Sequence, residues 1–241
     1  MTLDGVQIVT DPILRRYVGW LHWSGFRPSL SEVAAVDVVL LSHLHHDHTD
    51  LPSLRRFGPA TTFVVPAGGG SLVRGVVAGA VVELDVGGVT QVGTVQVTAT
   101  LANHDGGRRG GPSAPALGYL VQGSQSVYVA GDTDLFDEMV GIGDATGPAG
   151  LDLALLPVGG WGMTLGSGHL DPERAAESLA LLRPRVAVPV HWGRLRIPVV
   201  WRLRPDRYVT PGRRFARRAA VVAPSCRVLL PAPGEQLWID V

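Results

Sequence analysis

The segment Val38-Val39-Leu40-Leu41-Ser42-His43-Leu44-His45-His46-Asp47-His48-Thr49-Asp50 changes character abruptly at Ser42. Residues Val36–Leu41 are apolar and β-branched and read as a buried strand, and metal-ligand side chains crowd in where it ends. His43 and His45 are two apart, so in an extended stretch they project to the same side and can grip one cation. Asp47 and His48 follow as the chain turns toward a helical candidate at Leu51–Phe57, and can face a second position beside the first. Imidazole and carboxylate suit zinc and its neighbours, and leave coordination positions open to water when protein ligands are few. The competing reading is a histidine-rich surface loop that traps metal incidentally. Four histidines and an aspartate between His43 and His48, directly after a buried strand, disfavour it.

Outward from this cluster, three further ligand-type residues occupy similar places. His104 follows a predicted strand at Thr94–Leu101, Asp132 one at Ser126–Ala130, and His191 one at Val186–Val190. Each sits where an apolar strand runs into a glycine, the position at which α/β folds present chemistry. A single strand-end histidine is more often structural; beside the cluster these residues form a set. The remaining predicted strands are Thr61–Val65, Ala80–Leu84, Leu117–Gln122, Leu153–Leu156, Val228–Leu230 and Gln236–Ile239. Helices are predicted at Ser71–Ala78, Leu135–Val140, Asp171–Leu182 and Gly212–Val222. In the third, Asp171 can cap, Pro172 suits the first turn, and Pro184 forbids continuation. Strands in succession, then strand-helix-strand units, predict a layered α/β architecture with mixed sheets.

With 241 residues, 46% hydrophobic and 17% charged, the chain is long enough for a substantial core and reads as one globular domain over 1–241. No apolar run is long enough for a transmembrane segment. Met1–Gly5 lack the basic start and apolar stretch of a secretory leader, so a cytoplasmic location is the expectation. Cys226 is the sole cysteine, which excludes an internal disulfide and a thiolate-rich metal site. The net charge of +0 argues against wholesale nucleic-acid binding. Arginines are nevertheless dense from Arg183 to Arg218, including Arg194 and Arg196 beside His191. Three readings stand: a solvated surface balanced by acids elsewhere, a dock for an anionic substrate, or contact with an acidic membrane surface.

His-x-His-x-Asp-His, a lone His104, the Gly131-Asp132-Thr133 triplet and a late strand-end His191 together resemble the motif series of the metallo-β-lactamase superfamily. The resemblance runs over nearly the whole chain. Thr10-Asp11-Pro12, and Gly168-His169-Leu170-Asp171-Pro172-Glu173 leading to Val190-His191-Trp192-Gly193, look like the branch of ascorbate-6-phosphate lactonase and N-acyl-phosphatidylethanolamine phospholipase D. It implies a four-layer αββα sandwich and two divalent metal ions, zinc first, with Mn2+ or Fe2+ as alternatives. It also implies ligand roles: His43, His45 and His104 for one metal, Asp47, His48 and His191 for the other, and Asp132 bridging. Two such ions would activate a hydroxide for hydrolysis of a phosphodiester, lactone or related ester of a small-molecule or lipid-like substrate. Asp47 would also orient the nucleophile, and His169 would touch substrate or donate a proton to the leaving group. An iron redox centre is disfavoured because His45 stands where dioxygen-handling members carry glutamate. A catalytically silent binding or regulatory scaffold is the alternative, and relatives of the branch often form homo-oligomers. Tyr17, Trp20, His22, Trp23 and Phe26, in a loop-like stretch, and Trp161 and Trp192 beside the site loops, are candidate walls of an apolar pocket.

Overall fold

The computed structural model describes residues 1–147, 150–232 and 234–239. Val38 and Leu40 point one way from their strand, Val39 and Leu41 the other, and all four are wholly buried. A strand buried on both faces needs a layer on each side, and the rest of the chain supplies them. Val38 and Leu40 join Ile8, Val64, Val97, Leu117, Tyr119 and Val121 in a core between two sheets. Val39 and Leu41 pack outward with Phe63 and Val65 against Val33, Leu54, Phe57 and Val73 of the helical layer.

The first sheet orders its five strands Thr2–Leu3, Val6–Thr10, Val38–Leu40, Thr62–Pro66 and Val81–Leu84; all its pairings are parallel except the first. The second has seven, in the order Arg227–Val228, Val186–Val190, Leu153–Pro157, Ser126–Val129, Leu117–Gln122, Val95–Leu101 and Val89–Val92. Its first four run parallel and its last three form an antiparallel meander. The outer face of this sheet packs Leu120, Tyr128, Ala154, Leu156 and Ala187 against Ala175, Ala176, Leu179, Leu182, Phe215 and Ala219, which lie on the Pro172–Leu182 and Pro211–Val222 helices. Helix, sheet, sheet, helix: the architecture is the four-layer αββα sandwich.

The Pro172–Leu182 helix starts as its sequence dictates, with the Asp171 carboxylate accepting the Arg174 N–H at 2.8 Å and Pro172 in the first turn. Leu117–Gln122 and Val186–Val190 are strands over their predicted spans. Other expectations shift. The helix predicted at Leu135–Val140 forms later, at Met139–Asp144, and Gln236–Ile239 is not a strand. The loop-like aromatic stretch is a hairpin, Tyr17–Val18 with Leu21–Trp23, completed by Leu195–Arg196 into a small third sheet. Among the described residues no helix is long and apolar enough to cross a membrane.

Much of the arginine-rich surface is balanced in place. Arg214 and Arg218 pair with Glu173 and Glu177 across the two long helices, Arg183 with Asp144, and Arg185 with Asp152. Arg196 donates to the Gly193 carbonyl and lies 3.7 Å from the centroid of the Trp201 ring.

Trp192 packs inward, its indole N–H donating to the Pro189 carbonyl at 3.0 Å, and the start of the Pro211–Val222 helix closes over its ring. A Cβ added at Gly212 would lie 2.4 Å from that ring, so the helix can approach only because residue 212 has no side chain. Gly212→Ala is therefore expected to destabilise the fold by about 1–3 kcal/mol, through overpacking beside His191. Urea unfolding measures this, and an unchanged midpoint would mean that Trp192 moves aside without cost.

Candidate metal centre

The parallel strands of both sheets end at one edge, and the side chains singled out in the sequence meet there. Asp11 follows the Val6–Thr10 strand, the His43–His48 loop follows Val38–Leu40, Asp132 follows Ser126–Val129, and His191 follows Val186–Val190. His104 follows Val95–Leu101, which ends at the same edge because Leu101 pairs with Leu117 and Tyr119 with Val129. Backbone conformations that cost energy gather here too. Asp11 and His191 adopt positive φ, 43° and 58°, although neither is glycine. Gly131 at φ 62° lets Asp132 enter: a Cβ there would sit 2.6 Å from that of Ser42.

Each imidazole has one nitrogen committed to a neighbour. The Nδ1 of His104 donates to the Gly168 carbonyl at 2.8 Å and that of His191 to the Gly159 carbonyl at 2.9 Å. A carbonyl can only accept, so both rings carry a proton on Nδ1. His48 Nδ1 donates to Asp11 Oδ2 at 2.7 Å. Ser42 Oγ gives its proton to the same oxygen at 2.6 Å, and so accepts from His43 Nδ1 at 2.9 Å. Nε2 of His43, His48, His104 and His191 is thereby turned inward, the arrangement by which outer hydrogen bonds orient metal-binding histidines.

Two groups result. His43 Nε2 and His104 Nε2 lie 2.9 and 3.3 Å from His45 Nδ1. Both are lone pairs, and His45 Nδ1 can offer at most one proton between them. Nitrogens bound to one tetrahedral zinc stand about 3.3 Å apart, given bonds of about 2.0–2.1 Å. In the second group, His48 Nε2 is 3.1 Å from His191 Nε2, and both are 3.7 Å from Asp47 Oδ2. Asp132 stands between the groups, with Oδ2 3.2 Å from His48 Nε2 and 3.5 Å from His169 Nε2. Its Oδ1 is buried with no hydrogen-bond partner among the described residues. A carboxylate oxygen left bare in the interior is costly, and a cation is the partner this donor set accommodates. Four groupings could hold a metal ion: His43, His45 and His104; His43, His48 and Asp132; Asp47, His48 and His191; and His104, Asp132 and His169.

The electrostatics divide along the same line. Burial pushes the His43, His45 and His104 pKa values down, so these rings are neutral donors. Burial acts the same way on His48 and His191, but acids outweigh it: Asp132, Asp11 and Asp47 raise His48, and Asp132 and Asp47 raise His191 to about 8. Burial would raise the Asp47 and Asp132 carboxyls, yet the neighbouring imidazoles hold both below the usual carboxylate range. The site is a pocket of fixed negative charge that calls for positive charge.

The seven proposed ligands thus come together, with His169 at their rim. His46 does not: it is exposed and accepts from Arg108 Nη2 at 2.8 Å. Three residues outside the predicted ligand set also build the site. Asp11 was seen only as part of a strand motif, yet its carboxylate accepts the Ser42 N–H, the Ser42 hydroxyl and His48 Nδ1. Arg108 clamps the histidine loop by donating to the Leu44 and Thr49 carbonyls at 3.0 and 2.9 Å. Trp161, weighed only as a pocket wall, donates its indole N–H to Asp47 Oδ2 at 2.7 Å. An aspartate directly before proline at a strand end was the available signal for the first; the other two depend on loop packing.

Comparison with known proteins agrees with this geometry. A beta-lactamase superfamily domain matches residues 7–192. A UPF0173 metal-dependent hydrolase of Nitratidesulfovibrio vulgaris is 34% identical, covering 85% of this chain and 78% of its own. An N-acyl-phosphatidylethanolamine-hydrolyzing phospholipase D of Caenorhabditis elegans is 30% identical over 79% of this chain and 60% of its own. Among solved structures, Igni18, a metallo hydrolase from Ignicoccus hospitalis, superposes with a TM-score of 0.70 at 25% identity, over 97% of this chain and 90% of that one. The chain spans 65% of the length of the mycobacterial relatives it matches.

Asp11→Asn tests the anchor of the site. An amide nitrogen facing the Ser42 hydroxyl and His48 Nδ1 would meet two donors, at an expected cost of about 1–3 kcal/mol in unfolding free energy. The same change favours the other His48 tautomer, with its proton on Nε2. Nitrogen-15 NMR of the imidazoles reads this directly, and an unaltered His48 tautomer would remove Asp11 from its orienting role.

Proposed function

The chain belongs to the beta-lactamase superfamily, and from that premise we propose that it is a metal-dependent hydrolase carrying two divalent ions, zinc first. His43, His45 and His104 would hold one ion, Asp47, His48 and His191 the other, with Asp132 between them. The observation that carries this reading is the unpartnered, buried Asp132 Oδ1 amid inward-turned imidazole nitrogens. Neutral imidazoles and carboxylates favour zinc, while availability decides between zinc and manganese or iron. When bound, such ions lower the pKa of water to near neutrality and draw electron density from a carbonyl or phosphoryl oxygen.

The protein's own groups do the rest. Asp47 accepts from Trp161 on Oδ2 and keeps its remaining acceptor capacity for the attacking water. His169 has Nδ1 directed at the Ser167 carbonyl, 3.1 Å away, and Nε2 at Asp132 Oδ2, 3.5 Å away. With an acceptor on each side it holds both protons, and its side chain is 27% exposed. It is therefore placed to give a proton to the leaving group of a substrate that enters from solvent, as the scissile bond breaks. Trp20, 62% exposed, stands edge-on to Trp161 at 5.7 Å and gives the mouth an apolar wall. A phosphodiester, lactone or related ester of a small molecule or lipid fits this combination, and the nematode relative's phospholipid substrate lies within that class.

Protein purified without chelators is expected to hold about two zinc-like ions per chain by elemental analysis. Hydrolysis of bis(p-nitrophenyl) phosphate or a simple lactone should stop on chelation and return with zinc or manganese. A folded, metal-free and inactive protein would refute the reading and favour a scaffold. His169→Ala should leave metal content unchanged and lower kcat by about 10²–10⁴-fold; wild-type turnover would take His169 out of the mechanism.

A further inference from the structure

Asp47 is held differently from the other two carboxylates of the site. Asp11 takes three hydrogen bonds, and Asp132 lies among His48, His169 and His191. Asp47 receives a single hydrogen bond shorter than 3.5 Å among the described residues, the indole N–H of Trp161. The accepting oxygen, Oδ2, is also the one that faces His48 Nε2 and His191 Nε2. The donor is itself fixed. The Trp161 carbonyl accepts the hydroxyl proton of the buried Tyr208 at 3.1 Å, and the next carbonyl, of Gly162, accepts from Arg207 at 3.1 Å. The Trp20 ring packs against the indole in a T-shaped contact, with centroids 5.7 Å apart.

We propose that Trp161 is a positioning residue for Asp47: its indole N–H sets the carboxylate so that Oδ2 faces His48 and His191, and so tunes one of the two cation positions and not the other. The inference rests on the metal-binding reading above. The asymmetry follows from the geometry. His43 and His104 are oriented by Ser42 and the Gly168 carbonyl, and among the described residues the indole N–H hydrogen-bonds to Asp47 and to none of the three histidines. Losing that donor frees the Asp47 carboxylate to rotate and leaves the three-histidine group as it was.

Zinc titration of metal-free protein against a chromophoric chelator tests this. Trp161→Phe keeps a ring and removes the donor; it should weaken one of the two zinc ions by about 10–100-fold and leave the other unchanged. In an Asp47→Ala background, which removes the acceptor, the same substitution should add no further loss, since the two act through one contact. Trp161→Gln, whose amide N–H can still donate, should recover part of the affinity and gives a second route if the phenylalanine variant folds poorly. Wild-type affinity in Trp161→Phe, equal weakening of both ions, or full additivity with Asp47→Ala would overturn the inference alone. Wild-type protein that takes up no zinc would overturn the metal reading and this inference with it.

Discussion

The carboxylate of Asp11 ties two parallel strands of the first sheet to the chemistry at its edge. Oδ1 holds the backbone of Ser42, Oδ2 holds its hydroxyl and the His48 ring, and through Ser42 the orientation passes on to His43. One side chain thus sets the protonation pattern of two histidines. It does so from a left-handed backbone position that aspartate occupies at some cost. Strain of that kind persists where the surroundings over-determine it, and three hydrogen bonds in a buried setting are such surroundings. His191, also left-handed, shows the same bargain at the opposite sheet, with its ring fixed through the Gly159 carbonyl.

Two rows of strand ends, brought edge to edge by the sandwich, explain why the site can concentrate so many charges. Three carboxylates and five imidazoles from five strand ends would be an unstable assembly on a surface loop. Here the helical layers and the inter-sheet core fix the backbone, and the polar groups occupy only the rim. The division into neutral histidines on one side and acid-paired histidines on the other follows from where the carboxylates enter. Asp11, Asp47 and Asp132 all approach His48, whereas burial dominates at His43.

Much of this was legible in the residues. The strands that build the double core announced themselves as continuous apolar runs, and their ends coincide with the histidines and Asp132. The ligand-type residues were therefore readable as a set before any coordinates. Elements that earn their structure from distant partners were not readable. Leu195–Arg196 is a strand because the hairpin arm Leu21–Trp23 lies beside it, and nothing local to residues 195 and 196 says so. Val6–Thr10 is short, with polar Gln7 and Thr10, and is defined by pairing with Val38–Leu40. Gln236–Ile239 failed the other way: its composition suits a strand, but it joins no described ladder. At the site, residue types gave the inner groups, whereas the orienting groups include the Gly159 and Gly168 carbonyls, whose positions no side chain encodes, and the Trp161 indole, which reaches Asp47 only through loop packing.

The close contacts of the centre span very different stretches of chain. His43 and His45 are two residues apart, His48 and Asp11 37, His45 and His104 59, and His48 and His191 143. Closing longer loops costs more entropy, and contacts at such separations dominate the time a chain needs to reach its native topology. During synthesis the loop from His43 to His48 leaves the ribosome long before His191 exists. For that interval the nascent chain exposes a cluster of imidazoles without its closing partner. Completion waits for the Val186–Val190 strand to dock beside Leu153–Pro157, so the second half of the sandwich acts as the timer for the first.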